Sequence, residues 1–457
     1  MGTLTKEPFI LRLPDELLDR IIREACTAPL EEPYGDTWWR IDKRGHTRNV
    51  KSAAPLPIVC RRLYSIAVPY LYADIHVSCH RDRGSLPAAT RLHRSMRRNP
   101  ALWGLCRRML VDFDQTDEGD ERERETVQNP FLFRAMDYCT WFEGLRSLAF
   151  HGLQYLRAWD LVAVAVANCP LLEELRLVCR APYSLDLGRV VDLLSEGQSP
   201  RLRVLQVDGI SKEGGYLMEK KLREKAGLAS FSVLKTSSFL QAPSVLEALV
   251  RWPHTLDEIE IEHTFSACYG YPGLYADWSL ATLQPIFEIH KSTLRRISVR
   301  CLNAGGLAGF DLRDFPSLEE LKLSARTTRS RRLPYTVEYP HLRNLLAPRL
   351  RVFHWDLTAE DQQCDEKLHD FAQGEEDLLR EFANTALRAA VAVPLREIRI
   401  TFTPDPYVYS ESIGQPYPWD QMDALDAEFR GRGVRVRYNA PSLSREEFLE
   451  SQAEARN

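Results

Sequence analysis

A recurring Leu-x-x-Leu-x-Leu pattern constrains this chain more than any other feature. The last two apolar positions of each copy are two residues apart, so they point to one face of a strand, and the first lies where the chain enters it. The clear copies are Leu145, Leu148, Phe150; Leu172, Leu175, Leu177; Leu202, Leu205, Val207; Leu256, Ile259, Ile261; Leu294, Ile297, Val299; Leu318, Leu321, Leu323; Leu350, Phe353, Trp355; and Leu395, Ile398, Ile400. Weaker matches are Cys106, Met109, Val111 and Phe231, Leu234, Thr236. Each copy predicts a short strand with one buried side.

Proline marks the boundary ahead of many copies. Proline ends helices and favours extended geometry at the residue before it, so each one indicates a change from helix to strand. The positions are Pro170, Pro200, Pro253, Pro316, Pro348 and Pro394. Helix-compatible runs lie between copies, at 159–167, 245–250, 283–289 and 375–390. The predicted unit is a helix, a proline turn and a strand.

Successive copies begin between 24 and 45 residues apart. The chain therefore resembles a divergent leucine-rich-repeat protein over residues 100–440, which implies an α/β solenoid with a parallel sheet on the concave face and helices on the convex face. The family's Asn or Cys after each strand is missing, which argues against even curvature. Those positions hold Leu153, Arg180, Ile210, Thr264, Leu302 and Arg326. An ordinary α/β sheet with leucine-rich strands is the alternative.

Length and charge narrow the class of protein. A chain of 457 residues is too long for one ordinary core, a limit that a solenoid escapes because each unit packs only on its neighbours. The formal charge of -4 and pI near 6.3 predict no nucleic-acid partner. Two local basic runs are interpreted as solvated faces: Arg91, Arg94, Arg97, Arg98, Arg107, Arg108 and Arg326, Arg329, Arg331, Arg332.

The apolar runs and the cysteines indicate in which cellular compartment the protein is expected. The longest apolar stretch, 161–167, is too short to cross a membrane, and the N-terminus has no signal-peptide pattern. We expect an intracellular protein, cytoplasmic or nuclear, without a membrane partner. The ten cysteines form no C-x-x-C pair and are predicted to be reduced and mostly buried.

The N-terminal segment does not follow the repeat. Pro14 suits the start of a helix, Asp15 and Glu16 suit its positive end, and the apolar residues that follow are predicted to form one face. A second amphipathic helix is predicted from Pro57 until Pro69 stops it.

Together these halves resemble the F-box, the helical module that docks substrate receptors onto the linker subunit of SCF ubiquitin ligases, over residues 10–78. The residues that carry the resemblance are Leu13, Pro14, Leu17, Leu18, Ile21, Ile22, Val59, Cys60, Leu63 and Tyr64. The following stretch, 68–72, is similar to fungal F-box proteins. The resemblance implies contact with the linker subunit and, through it, with a cullin scaffold.

The spacing between the halves departs from the family. Residues 27–55 form an insert, with Trp38, Trp39 and a basic run, where the family has a shorter connection. We interpret the insert as a loop. A loop at this position could obstruct binding of the two helices to the linker subunit. The alternative is that the two helices only cap the first repeat, as terminal repeats require.

Catalytic motifs are missing from the sequence. No G-x-G-x-x-G, Walker A, H-E-x-x-H or G-x-S-x-G pattern occurs, so we predict no enzymatic activity and no cofactor. His76, Cys79, His80 and His93 lack the spacing of a zinc site. The acidic stretch 112–125 favours a solvated loop over a calcium site.

The strand residues that alternate with the buried ones face the concave side, the surface that solenoids use for binding. Candidate target-binding residues there are Arg176, Glu258, Glu260, Glu262, Arg296, Arg300, Lys322 and Arg399. An acidic strand thus lies beside a basic one. The favoured interpretation is that these charges pair across the ladder, and the alternative is a dedicated binding patch.

The sequence therefore favours a non-enzymatic substrate receptor of an SCF-type ubiquitin ligase, with the F-box-like helices holding the linker subunit and the repeats holding an unidentified target protein. A scaffold or regulatory repeat protein outside the ubiquitin system is the alternative, and a hydrolase hidden in the insertions is a third class. Residues 441–457 are predicted to be a polar tail.

Overall fold

A computed structural model gives the fold of the chain. It describes residues 9–27, 55–78, 86–113, 130–153, 156–179, 184–196, 200–210, 215–262, 278–300, 302, 306–325, 339–357, 370–389, 393–404 and 413–455. Two compact units are present, the first comprising Met1–Arg180 with Glu196–Leu202 and the second Ala181–Ser195 with Arg203–Asn457. The F-box-like helices therefore share a compact unit with the first repeats.

The first unit opens with helices and continues as alternating strands and helices. Its strands are β1 (Asp74–Ser78), β2 (Arg108–Asp112), β3 (Ser147–His151) and β4 (Glu174–Val178). Its helices are α1 (Asp15–Thr27), the single turn α2 (Leu56–Val59), α3 (Arg61–Ala73), α4 (Leu86–Arg98), α5 (Pro130–Trp141) and α6 (Leu156–Asn168), with 3-10 turns at Phe9–Arg12 and Pro100–Leu105.

The second unit repeats the alternation. Its strands are β5 (Val204–Ile210), β6 (Val233–Phe239), β7 (Glu258–Ile261), β8 (Arg296–Val299), β9 (Glu320–Ser324), β10 (Val352–Asp356), β11 (Glu397–Thr401) and β12 (Arg435–Tyr438). Its helices are α7 (Leu187–Glu196), α8 (Gly215–Glu224), α9 (Pro243–Arg251), α10 (Leu280–Glu288), α11 (Gln373–Arg388), α12 (Pro418–Arg430) and α13 (Arg445–Ala455), with a 3-10 turn at Tyr339–Leu345.

Within each unit, consecutive strands pair in parallel. Strands β1 to β4 follow chain order in the first unit, and β5 to β12 do so in the second. The register aligns the predicted apolar positions: Leu321 lies opposite both Ile297 and Phe353. Because parallel strands need a crossover between them, each helix or loop returns the chain to the start of the next strand. The expected α/β architecture with parallel strands is confirmed.

Helices cover the apolar face of these strands. The ring of Phe353 on β10 lies 4.4 Å from that of Phe382 on α11, and Phe402, just after β11, lies 5.6 Å from Trp419 on α12. The apolar residues of the eight clear copies are all buried. Burying a side chain of this size contributes roughly 1.5–3 kcal/mol, so the repeated pattern contributes substantially to stability. The four predicted inter-copy helices are confirmed.

Buried aliphatic residues replace the missing asparagines. Leu153, Ile210 and Leu302 stand three residues after the last apolar position of their copies, and all three are buried. Arg180, Thr264 and Arg326 lie outside the described residues. The buried apolar residues therefore continue past the two strand positions of each of these copies.

Two strands escaped the sequence pattern. β1 was included in the F-box-like segment, yet it pairs with β2 from Asp74 to Ser78. β12 pairs with β11, but Gly433 occupies the position where other copies have the first leucine. The sheet-forming residues of these strands keep the alternation, since Ile75, Val77 and Val436 are buried.

Three local predictions need correction. Pro69 does not end its helix, because it lies inside α3. The second N-terminal helix is interrupted at Cys60, which is extended (φ -160°, ψ 164°) between α2 and α3. Residues 441–457 are not only a polar tail, since they include α13, whose Phe448 is buried against Tyr417 at 5.4 Å between ring centroids. Along the described parts of the chain, no helix has the length and apolarity to span a membrane.

Candidate partner-binding surfaces

The N-terminal helices enclose a small core of their own. Leu18 and Ile22 from α1 meet Leu63 and Ala67 from α3, and all four are buried. Six neighbours pack partly buried around them: Leu13, Leu56, Cys60, Ile66, Tyr70 and Leu71. We call residues 9–27 and 55–73 the docking module.

Two polar clamps tie α1 to α3 on either side of this core. At the start of α1, Arg62 donates from Nη2 to the Leu13 carbonyl oxygen (2.6 Å) and from Nε to Asp15 Oδ1 (2.7 Å). Further along, the Tyr70 hydroxyl donates to Asp19 Oδ1 (2.6 Å) and accepts from Arg23 Nε (3.3 Å). The clamps fix the rotation of α1, and therefore which of its side chains face outward.

Large apolar side chains are left exposed on the docking module. The exposed fractions are 47% for Leu17 and 46% for Ile21 on α1, 85% for Ile58 and 61% for Val59 on α2, and 50% for Tyr64 on α3. With Ile10 at 44%, six of the ten exposed large hydrophobic residues in the described part of the chain lie in this short module. Exposed apolar residues concentrated in this way are typical of a surface that binds another protein.

The ten predicted docking residues therefore fall into two groups. Leu18, Ile22 and Leu63 are interior, and Leu13 and Cys60 pack at the edge of that interior. Pro14, Leu17, Ile21, Val59 and Tyr64 are exposed. The four apolar residues of α1 lie within about 140° of one another and form one stripe, as expected, but only its Leu18 and Ile22 half is buried, and Leu17 and Ile21 are left exposed. Residues 28–54, the main part of the insert, lie outside the described residues.

Sequence patterns missed the clamp residues. Tyr70 falls within the stretch 68–72 of the resemblance, but no pattern indicated that it, Asp19, Arg23 or Arg62 would join the two helices. The signal available was spacing: Asp19 and Arg23 are four apart on α1, so their side chains lie together. Nothing in the sequence paired them with a tyrosine on another helix.

The Tyr70 clamp gives a local stability prediction. Burial and the hydrogen bond to Asp19 raise the pKa of Tyr70, so its hydroxyl stays protonated and keeps donating. We expect Tyr70→Phe to cost about 0.5–1.5 kcal/mol in the docking module, measured as faster amide hydrogen exchange across α1. Tyr72→Phe is the control, because among the described residues the Tyr72 hydroxyl has no hydrogen-bond partner. Equal exchange in both variants would contradict the clamp.

On the second unit, charged residues of β6 to β8 pair with one another. We call the strand side chains that alternate with the buried ones the polar face. Arg296 lies 3.1 Å from Glu258, and Arg300 lies 2.9 Å from Glu262. Lys235 on β6 contacts Glu260 at 2.9 Å. Burial opposes the charge of Lys235, but Glu260 and Glu258 outweigh it and raise its pKa.

The pairing continues through β11. Glu320 lies 3.2 Å from Arg296 and accepts a hydrogen bond from Arg399 at 3.3 Å, and Arg399 also contacts Glu397. These charges are largely satisfied within the face, as the favoured interpretation predicts, and exposed pairs of this kind contribute only about 0–1 kcal/mol each. Arg176 on β4, in the first unit, is buried (9% exposed).

A more deeply buried polar cluster lies on β8 to β10. Asp356 is 2% exposed, and its carboxylate lies 2.9 Å from Lys322 Nζ and 3.1 Å from Arg300 Nε. His354 lies two residues before Asp356 on β10 and therefore on the same face, and it shares a 2.7 Å hydrogen bond with Thr401 Oγ1. A carboxylate this buried needs its cationic partners to offset lost hydration. Lys322 therefore has a structural role, whatever it binds.

His354 gives a pH prediction. Burial, followed by the neighbouring Lys322, lowers the pKa of His354 to about 4 from 6.5; Arg399 and Arg300 act in the same direction and Asp356 opposes them. The unfolded chain therefore takes up this proton first as pH falls. We expect the stability of the second unit to decrease from about pH 6.5 and to level off, for this group, below about pH 4. In His354→Gln, the urea concentration at the unfolding midpoint should depend less on pH between pH 5 and 7. An unchanged dependence on pH would contradict a lowered pKa for His354.

Within the described ranges, the clusters of metal-binding residue types and the buried cysteines give no sign of a metal site or a reactive thiol. Among the described residues, no group of three or more His, Cys, Asp or Glu side chains is arranged to hold a metal ion. Burial raises the pKa of Cys169 to about 11 and also raises those of Cys106 and Cys139. Several predictions fall outside the described residues: Cys79 and His80, residues 114–125, and Arg326 to Arg332.

Two comparisons with known proteins found no match. The sequence matches no protein-family model, and no curated protein matches it.

Proposed function

We propose that this protein is a substrate receptor of an SCF-type ubiquitin ligase. The docking module binds the linker subunit, which connects it to a cullin scaffold, and the remainder forms a divergent leucine-rich-repeat solenoid that presents a target protein. In this role the chain performs no bond chemistry. It acts inside the cell, in the cytoplasm or the nucleus, where that machinery operates.

The observation that carries the proposal is the exposed apolar set Leu17, Ile21, Val59 and Tyr64, together with Ile58. Four of these five belong to the residues by which the sequence resembles an F-box, and they stand on helices held by a separate buried core. A pair of helices that served only to cap the first repeat would have no need to expose them.

The target-binding half of the proposal concerns the polar face of the second unit. The polar face offers an extended row of side chains, and its charges are mostly paired with one another. Recognition there would depend on the whole set of strands and not on the single patch at Arg296 and Arg300. No specific observation favours the non-ligase scaffold, which becomes the conclusion if docking fails.

A pull-down with the full chain and purified linker subunit tests the proposal. We expect a stable one-to-one complex that co-elutes in size-exclusion chromatography and that recruits the cullin. Failure of the folded chain to bind the linker subunit at tens of micromolar would contradict the ligase role and leave the scaffold alternative.

A further inference from the structure

An unpaired row of arginines lies on α4 in the first unit. Arg91, Arg94, Arg97 and Arg98 are all exposed, and none has a partner among the residues that the structure describes. The helix, with sequence LPAATRLHRSMRR, contains no acidic residue. We call these four side chains the arginine stripe.

Helix geometry places the stripe on one side of α4. At 100° per residue, the four positions fall within about 120° of one another. The first and last are seven residues apart, or about 10 Å along the axis. Met96, which is fully buried, lies on the other side. The stripe is therefore a continuous basic surface and not a scatter of charges around the helix.

The buried side of α4 is rigidly held. His93 shares a 2.7 Å hydrogen bond with Asp137 on α5 and stacks on Trp141 at 5.1 Å, and Trp141 stacks in turn on Trp103 at 5.0 Å. A further contact fixes the helix on the stripe's own side, where Arg134 on α5 donates to Thr90 Oγ1 at 2.8 Å. Since the helix is fixed at several points, the stripe presents its charges without an ordering cost for the backbone.

The stripe contrasts with the charged strands of the second unit. Arginines on the second unit's strands, such as Arg296 and Arg399, meet carboxylates of neighbouring strands. Four guanidinium groups left together repel one another, at a small cost that a bound anion would remove. Arginine also suits carboxylates better than lysine does, because its planar group donates two parallel hydrogen bonds.

We propose that the arginine stripe binds a short acidic segment of a partner protein, with two to four Asp or Glu side chains. The length of the stripe matches such a segment. A polyanion much longer than the stripe, such as nucleic acid, would place most of its charges beyond it, on a chain of net charge -4. The site is separate from the docking module, so the proposal stands whether or not the linker subunit binds.

Fluorescence anisotropy with a labelled octaglutamate peptide and the full chain tests this proposal. We expect the protein to bind octaglutamate, not octaglutamine, and to lose at least tenfold in affinity between 50 and 300 mM salt. Changing the stripe with Arg91→Gln, Arg94→Gln, Arg97→Gln and Arg98→Gln should weaken binding by about tenfold or more, with an unchanged circular dichroism spectrum because all four side chains are exposed.

The matched control removes the same charge from four exposed arginines on other elements: Arg201→Gln, Arg203→Gln, Arg349→Gln and Arg388→Gln. We expect less than a threefold effect. Equal losses in the two variants would overturn the site, since net charge alone would then explain the binding. Tighter binding of a single-stranded oligonucleotide or of phosphatidylserine vesicles than of octaglutamate, lost in the stripe variant, would overturn the assigned partner class.

Discussion

Replacing Leu17 and Ile21 with aspartate is expected to abolish capture of the linker subunit while leaving the chain folded. Each side chain is about half exposed, so covering it would contribute roughly 1–1.5 kcal/mol before the cost of association. Aspartate removes this contribution and adds a charge that an interface must desolvate. Together these effects predict a loss of at least about 100-fold in affinity, measured by titration calorimetry or pull-down.

The control for this variant uses two other exposed leucines. Leu217 is 75% exposed and Leu228 is 71% exposed, and both lie in the second unit, so Leu217→Asp with Leu228→Asp should leave capture intact. Leu18→Asp with Ile22→Asp should also lose capture, but through unfolding of the docking module, visible as lost hydrogen-exchange protection in α1 and α3. Normal capture by a folded Leu17→Asp, Ile21→Asp variant would refute the F-box assignment.

Removing the charge of Asp356 is expected to destabilise the second unit by about 2–4 kcal/mol. Asp356→Asn leaves Lys322, 22% exposed in its side chain, without its carboxylate, and an uncompensated buried charge is costly. Arg300 keeps Glu262 at 2.9 Å, so most of the loss comes from the lysine. Urea unfolding, followed by tryptophan fluorescence, measures the change.

A second substitution distinguishes charge from packing. Adding Lys322→Met to Asp356→Asn removes the unpaired cation, and we expect it to restore more than half of the lost stability. Glu247→Gln breaks the exposed pair between Glu247 and Arg251 in the same unit and should cost less than about 0.5 kcal/mol. A double variant no more stable than Asp356→Asn would show that the effect is steric.

The strands were predictable because their signal is local and strong. Period-two apolar residues after a proline identify a strand without knowledge of its neighbours, and all ten matches form one. β12 was missed because Gly433 removes the leading leucine, and the neighbouring strand, not its own pattern, fixes its place. β1 was missed because it follows α3 directly, with no turn signal between them.

The docking module shows where sequence reasoning stops. The helical period places Leu17, Leu18, Ile21 and Ile22 on one stripe, but either the pair Leu17 and Ile21 or the pair Leu18 and Ile22 can be its buried half. The choice is made by α3 and by the clamps at Arg62 and Tyr70, which are 47 or more residues away from their partners in the sequence. Long-range pairings of this kind leave no periodic trace.

The buried aliphatic residues Leu153, Ile210 and Leu302 also bear on how this chain tolerates changes in length. An asparagine ladder ties each turn to the next through hydrogen bonds whose geometry must recur, so an insertion that displaces one amide leaves backbone groups unsatisfied. Dispersion contacts are non-directional, and an aliphatic side chain can anchor a turn of any length. Segments of different size can therefore be accommodated between strands in the course of evolution, consistent with copies that begin 24 to 45 residues apart.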